Sequence, residues 1–145
     1  MKPEIDESGG SDAGAPSGSE EFDAWRALQK ATDKKRADIL ADIVGHPEGM
    51  PSVEELAYLN PALSDDAIRR HLHELMDVGV VTERAFEPGE RLRDYPYKFY
   101  ELTDAARELF DQNGLFPEDA WQRQYHAVEK TPRIREIETM PRPDA

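Results

Sequence analysis

Few residues in this chain have side chains suited to metal or nucleophilic chemistry, since it contains four histidines and no cysteine. Without thiols it has no disulfide, no thiolate metal site and no cysteine nucleophile. His126 and Glu129 are three residues apart and could supply two zinc ligands, but no second histidine lies near them. His71 and His73 would diverge on a helix. We therefore expect neither a metal site nor a bound cofactor.

The spacing patterns of catalysis are also absent from the sequence. It has no Ser/His/Asp arrangement, no glycine-rich phosphate loop and no paired carboxylates beyond those that 31 acidic residues produce by chance. The first residues, MKPEIDESGG, contain neither a basic leader nor an apolar segment, and no run of about 18 apolar residues follows. We expect a cytoplasmic protein that is not an enzyme.

Negative charge dominates the composition. Against 18 basic residues stand 31 acidic ones, a net charge of −13 over 145 residues, which argues against a polyanionic partner. The excess resembles that of proteins from salt-accumulating archaea, where the Debye length is roughly 3 Å and surface repulsion is screened. Local charge therefore indicates the partner better than net charge does.

Two segments are basic against this background. Residues 67–73 contain two arginines, two histidines and no acid, and residues 84–98 contain four basic residues against three acidic ones. Both suit contact with DNA, although exposed arginines could instead pair with Asp66 or Glu74, and the second segment could be a solvated loop. The candidate DNA contacts are Ser64, Arg69, Arg70, His73, Arg84, Arg91, Arg93 and Lys98.

Apolar residues at helical spacing, bounded by capping residues, predict six helices that would position these side chains. Residues 1–19 are rich in Gly, Ser, Pro and acidic residues and are expected to form a disordered acidic arm. The chain from Thr131 contains three prolines and is expected to be extended. The predicted helix starts are Ser17 with Glu20, Thr32 or Asp33, Ser52 with Glu55, Ser64, Thr103 and Pro117.

Residues 80–102 predict one β-hairpin with a long tip, because β-branched and aromatic residues at both ends flank two prolines and a glycine. Helices followed by a hairpin, with a tight turn before the helix 64–78, predict a mainly α winged helix-turn-helix fold with extra N- and C-terminal helices. The expected divisions are an arm at 1–19, a winged helix-turn-helix domain at 20–113, a C-terminal dimerisation helix at 114–130 and a tail at 131–145.

The helix 64–78 is amphipathic. Ile68, Leu72 and Leu75 fall on one side of it at 100° per residue. Arg70 and His73 then point away from the core, as residues that read a DNA groove would.

These segments resemble a known family. The run AIRRHLHELMDVGVVTER, with a hairpin ending KFYELTDAARELF, resembles the recognition helix, wing and following helix of ArsR/MarR-type winged helix regulators of halophilic archaea. ATDKKRADILADIV resembles their first core helix, and GLFPEDAW through KTPRIREIETMPRP their C-terminal extension. The resemblance implies a transcription regulator that binds double-stranded DNA as a homodimer, with helix 64–78 in the major groove and hairpin 80–102 as the wing. Asp65 and Asp66 depart from the family pattern, in which the first turn of the recognition helix usually presents neutral or basic residues to DNA. Their carboxylates would repel phosphate.

Large apolar residues at both ends of the predicted domain favour a subunit interface. The alternative function is a protein-docking module with an acidic surface, which binds a partner in the transcription machinery and reads no DNA. The candidate interface residues are Phe22, Trp25, Leu28, Phe116, Trp121, Tyr125 and Val128.

Overall fold

The computed structural model describes residues 21–144. The predicted arm at 1–19 and the capping pair Ser17 and Glu20 lie outside this range. None of the helices in the described range is long and apolar enough to cross a membrane. The elements are α1 (Ala24–Ala31), α2 (Lys34–Gly45), α3 (Val53–Leu59), α4 (Asp65–Asp77), β1 (Val81–Ala85), β2 (Lys98–Leu102), α5 (Asp104–Gln112), α6 (Glu118–Ala127) and α7 (Pro132–Thr139).

N-cap side chains fix where most of these helices begin. The predicted caps Asp33, Ser52, Ser64 and Thr103 each accept a hydrogen bond from the backbone N–H three residues on, which satisfies a group that the helix itself leaves unpaired. The first helix begins later than predicted, since Asp23 caps α1. Phe22 therefore precedes α1 and does not lie within it.

The core lies between α2, α4 and the hairpin. Ile68, Leu72 and Leu75 of α4 are buried as their spacing predicts, and they pack in one cluster with Ile39 and Leu40 of α2. A mainly helical protein with one antiparallel hairpin is thus confirmed.

The two strands form an antiparallel pair in which Val81 lies opposite Leu102 and Ala85 opposite Lys98. Gly79, between α4 and β1, has a φ of +75°, a conformation that costs glycine little. The hydroxyl of Thr103 donates to the Gly79 carbonyl at 2.6 Å, so the end of the wing is fastened to the end of α4.

Close packing of α6 on α2 depends on Gly45. A Cβ at Gly45 would lie 2.6 Å from the carbonyl oxygen of Trp121, so no other residue fits there without moving α6. This contact places Tyr125 of α6 in the interior, 3% exposed, with its ring edge-on to His46.

The prediction of an extended tail from Thr131 is wrong, because the tail contains α7. Thr131 caps this helix, and Pro132 occupies its first position, where the missing N–H costs nothing and the fixed φ suits a helix. Ile134 and Ile137 are buried, and α7 packs against α3. Pro132, one of the three prolines from which an extended tail was predicted, therefore begins the helix.

Candidate nucleic-acid interface

The outer face of α4 exposes Arg70 and His73 to solvent, on the side opposite the buried Ile68–Leu72–Leu75 stripe. Arg70 forms no ion pair with any residue in the 21–144 range. Ser64, at the start of the same helix, is exposed, and its oxygen accepts the Ala67 N–H at 3.1 Å. Its hydroxyl hydrogen is left to donate to another group.

Arg69 lies on the wing side of α4. One of its guanidinium nitrogens is 3.3 Å from Asp66, but with the Arg69 side chain 53% and the Asp66 side chain 93% exposed the pair contributes little stability. Arg69 also lines a cavity of about 490 Å³ between α4 and the wing, together with Tyr97, Lys98 and Tyr100. The structure thus brings the predicted contacts Arg69 and Lys98 to one groove.

At the base of the wing, Arg84 pairs with Glu101 on the other strand at 2.6 Å. The Arg84 and Glu101 side chains are 34% and 18% exposed, so this pair is better protected from solvent than the one between Arg69 and Asp66. Arg84 is therefore engaged in holding the two strands together, and its charge is already neutralised.

The wing tip is an ordered turn. Residues Pro88–Glu90 form one 3₁₀ turn, and the Arg91 guanidinium stacks 3.7 Å from the centre of the Tyr97 ring while its Nε donates to the Phe86 carbonyl at 3.2 Å. Arg93 is exposed at the same tip. Of the predicted wing contacts, Arg93 and Lys98 present exposed cations, and Arg91 presents a stacked one.

The C-terminal segment holds the wing in place through Arg133 of α7. Its guanidinium binds both carboxylate oxygens of Glu54 in α3, at 3.0 and 3.2 Å, and donates to the carbonyl of Asp94 in the wing. It also stacks 4.6 Å from the Tyr95 ring. A hydrogen bond from the Tyr95 hydroxyl to Glu136 raises the pKa of that tyrosine. One arginine therefore links the helix-turn-helix to the wing, a role that sequence reasoning missed.

A second feature that the sequence did not indicate is a buried polar hub, formed by His46, Glu55 and Arg142. Glu55 Oε2 lies 2.6 Å from His46 Nε2, and Glu55 Oε1 lies 3.1 Å from an Arg142 nitrogen. The Glu48 N–H points at His46 Nδ1, which assigns the ring hydrogen to Nε2 and makes Nε2 the donor to Glu55.

Burial alone would raise the pKa of Glu55, but the hydrogen bond from His46, the Ser52 backbone N–H and the Arg142 guanidinium together lower it. The Glu55 carboxylate is thus held ionised by partners on three separate segments of the chain. With no solvent access to His46 or Glu55, the hub serves the fold and not the interface.

A third feature that was not predicted as a site is a basic run in α1 and α2. Residues 26–36 contain five basic side chains and one acid, a local charge of +4, which exceeds the charge of either predicted basic segment. Arg36 of this run approaches α4, with one nitrogen 3.4 Å from Glu74 and 3.5 Å from His71 Nδ1. The most basic run of the sequence therefore borders the candidate recognition helix.

The predicted dimer residues fall into three groups by exposure. Trp25 is 70% exposed and Val128 is 38% exposed, so both present apolar surface. Tyr125 is buried within the subunit, which removes its ring from any contact with a partner. The remaining candidates, partly buried in the subunit, are Phe22, Leu28, Phe116 and Trp121.

Comparison with known proteins identifies the fold family. No protein-family model and no curated protein matches the chain. A solved structure from Halomicrobium mukohataei, described as a protein with a GntR superfamily winged-helix-turn-helix domain, is similar with a TM-score of 0.75 and 30% identity, covering 92% of this chain and 93% of that one. It supports the predicted winged helix but not the ArsR/MarR subtype. The chain belongs to the winged helix-turn-helix proteins of the GntR superfamily.

Proposed function

We propose that this protein is a DNA-binding transcription regulator that acts as a homodimer, with α4 in the major groove and the β1–β2 hairpin as the wing. The observation that carries the proposal is the exposure of Arg70 and His73 on the face of α4 that points away from the core. A helix with this geometry fits the width of the major groove, and arginine is the commonest partner of guanine there.

The wing would contact the DNA backbone. Arg93 and Lys98 project from a hairpin that Arg133 and Thr103 fasten to the rest of the fold. Phosphate contacts of this kind fix the position of the protein on the duplex and carry no sequence information. Arg70 is therefore assigned to base reading and Arg93 to positioning.

The net charge of −13 is compatible with this function at high salt. At molar ionic strength the Debye length is roughly 3 Å, so distant acidic groups no longer repel phosphate while direct contacts persist. The organism of the similar structure is a halophilic archaeon, which favours such conditions for this chain too.

A homodimer is favoured by Trp25, whose large exposed apolar surface lies on α1. Winged helices commonly read two related half-sites with two subunits. The proposed interface is centred on Trp25 and includes Val128, because these are the candidate residues with free apolar surface.

A docking module is the second candidate, and one observation favours it. Asp65 and Asp66 are exposed in the first turn of α4, where they would repel phosphate. An acidic surface of this kind suits a basic protein partner in the transcription machinery. DNA binding is preferred because Arg69, Arg70 and His73 share that helix.

The test begins with genome-wide immunoprecipitation of the tagged protein from its own host, which builds native salt into the measurement. Arg70→Ala should then weaken binding to a recovered site by roughly 1–3 kcal/mol per subunit. Arg93→Ala should weaken binding to every sequence similarly. The matched control is Arg123→Ala, an exposed arginine on α6. If Arg70→Ala and Arg93→Ala both retain wild-type occupancy while folded, the docking module becomes the better account.

A further inference from the structure

The strongest local concentration of positive charge lies where α1 meets α2. We call this surface the basic junction and define it as Arg26, Lys30, Lys34, Lys35 and Arg36. Asp33 is the one acid among residues 26–36, so the run has a charge of +4 in a chain of −13. Charge of this density in so acidic a protein requires an explanation.

Asp33 offsets one of these five positive charges, and its carboxylate is directed toward the start of α2. Its carboxylate accepts the backbone N–H of Arg36 as the N-cap of α2 and lies 3.9 Å from the Arg36 guanidinium. The backbone hydrogen bond from Arg36 lowers the pKa of Asp33, so this carboxylate remains ionised as the N-cap of α2.

Internal contacts orient the basic junction beside α4. The Arg36 Nε donates to the Lys30 carbonyl at 2.7 Å, and the Lys30 ammonium lies 2.9 Å from Glu74 of α4. These contacts place the junction on the side of α4 that carries His71 and Glu74. Because Lys30 of α1 and Arg36 of α2 both contact Glu74 of α4, the surface has a fixed position relative to the candidate recognition helix.

The wing lies on the other side of α4, where Arg69 shares a cavity with Tyr97 and Lys98. On a helical wheel, Glu74 and His71 fall on one flank of the outer face and Arg69 on the opposite flank, with Arg70 between them. Cationic side chains therefore lie on both sides of the outer face of α4. On the junction side Lys30 and Arg36 pair with Glu74, so the charges left for a ligand are those of the outer residues.

The outer residues of the basic junction are available to a partner. Lys34 is 85% exposed, and its pair with Asp38, at 3.2 Å, joins two exposed side chains, so it is easily replaced. Lys35 is exposed and forms no ion pair with the residues that the structure describes. Arg26 is exposed in the first turn of α1.

We propose that the basic junction binds the sugar-phosphate backbone of DNA on the side of the major groove opposite the wing. The proposal rests on the proposed function, since it takes α4 to lie in the groove. A helix in the major groove is bordered by a phosphate strand on each side. The wing faces one strand, and Lys34 and Lys35 face the other.

The experiment compares two double variants with equal charge change. Lys34→Gln with Lys35→Gln removes two cations from the basic junction, and Arg123→Gln with Arg135→Gln removes two exposed cations from α6 and α7. Fluorescence anisotropy with a fluorescein-labelled duplex, one of random sequence and one recovered by immunoprecipitation, gives the affinity across a KCl series. Melting curves over the same series verify that each variant is folded.

We expect the junction variant to reduce the slope of log K against log[KCl] by about 1.8, because each phosphate contact contributes about 0.9. The loss of affinity should be similar for both duplexes, and the control variant should retain the wild-type slope. A wild-type slope in the junction variant would overturn this inference and leave the proposed function standing. If the wild-type protein binds neither duplex at any salt, the proposed function fails.

Discussion

The buried hub and the outer face of α4 both contain charged side chains, but in contrasting environments. In the hub, Glu55 and His46 are fully buried and every carboxylate oxygen of Glu55 has a partner. On α4, Arg70 is exposed without an ion pair in the described chain, and Arg69 has only the exposed Asp66. Buried charges that have all their hydrogen-bond partners stabilise the fold. Exposed charges without such partners are available to a ligand.

The contrast predicts opposite responses to substitution. Removing a hub charge leaves its partners buried without compensation, which is costly. Removing an exposed charge on α4 leaves the neighbouring charged side chains in contact with water. The free energy of unfolding should therefore change little, while the affinity for a ligand should change. The predictions below test this division, beginning with the largest effect.

Glu55→Ala should lower the free energy of unfolding by about 3–5 kcal/mol, because it strands His46 and Arg142 in the interior. Urea unfolding at constant salt measures the change. Glu108→Ala, on the exposed face of α5, is the matched control and should have little effect. Equal losses in the two variants would mean that the hub contributes nothing specific to stability.

Asp42→Asn should stabilise the protein at about pH 7. Burial raises the pKa of Asp42 to about 6, so the folded state resists its ionisation. Protonated Asp42 contributes its full stabilisation of the folded state below the pKa that Asp42 has in the unfolded chain, near 4. This contribution is lost as the pH rises through 6.

The amide of asparagine is always neutral and should therefore add about 1–3 kcal/mol at about pH 7 and almost nothing at about pH 4. Its oxygen can still accept the Asn60 amide that Asp42 accepts at 2.8 Å. Asp111→Asn, an exposed carboxylate on α5, controls for the loss of one negative charge. A gain that does not depend on pH would contradict the assignment.

Arg133 has properties of both regions, because its side chain is half-exposed yet joins α3 to the wing. Arg133→Ala tests which property dominates. We expect faster amide hydrogen exchange across residues 91–97 and weaker DNA binding, with little change in the cores of α2 and α4. Arg135→Ala, exposed on the same helix, is the control. Unchanged exchange in the wing would show that Arg133 does not position it.

Asp66→Asn should have the smallest effect on stability and should strengthen DNA binding a few-fold at low salt, since it removes a negative charge beside Arg69 and Arg70. Asp104→Asn makes the same change in the first turn of α5 and should leave binding unaltered. Weaker binding by Asp66→Asn would instead indicate that Asp66 contacts a base.

Local signals made much of the fold predictable from sequence. The α4 stripe and the Ser52–Glu55 capping box depend on residues three or four apart, so the chain itself displays them. Contacts between distant segments were not predictable. Arg84 was expected on DNA and pairs with Glu101, because strand register is set by the folded hairpin. The charge of the basic junction is visible in the sequence, but its position beside α4 depends on contacts between residues more than 30 positions apart.

The hub also bears on the order in which the chain folds. Glu55 is three residues from Ser52 and nine from His46, but 87 from Arg142, and closing a loop costs more entropy as it lengthens. We expect α3 to form with its cap first and Arg142 to join last. Arg142→Gln should then accelerate unfolding and leave the refolding rate almost unchanged in stopped-flow measurements. The C-terminal segment would thus act as a latch on an assembled core, setting how long the native state lasts and not how fast it forms.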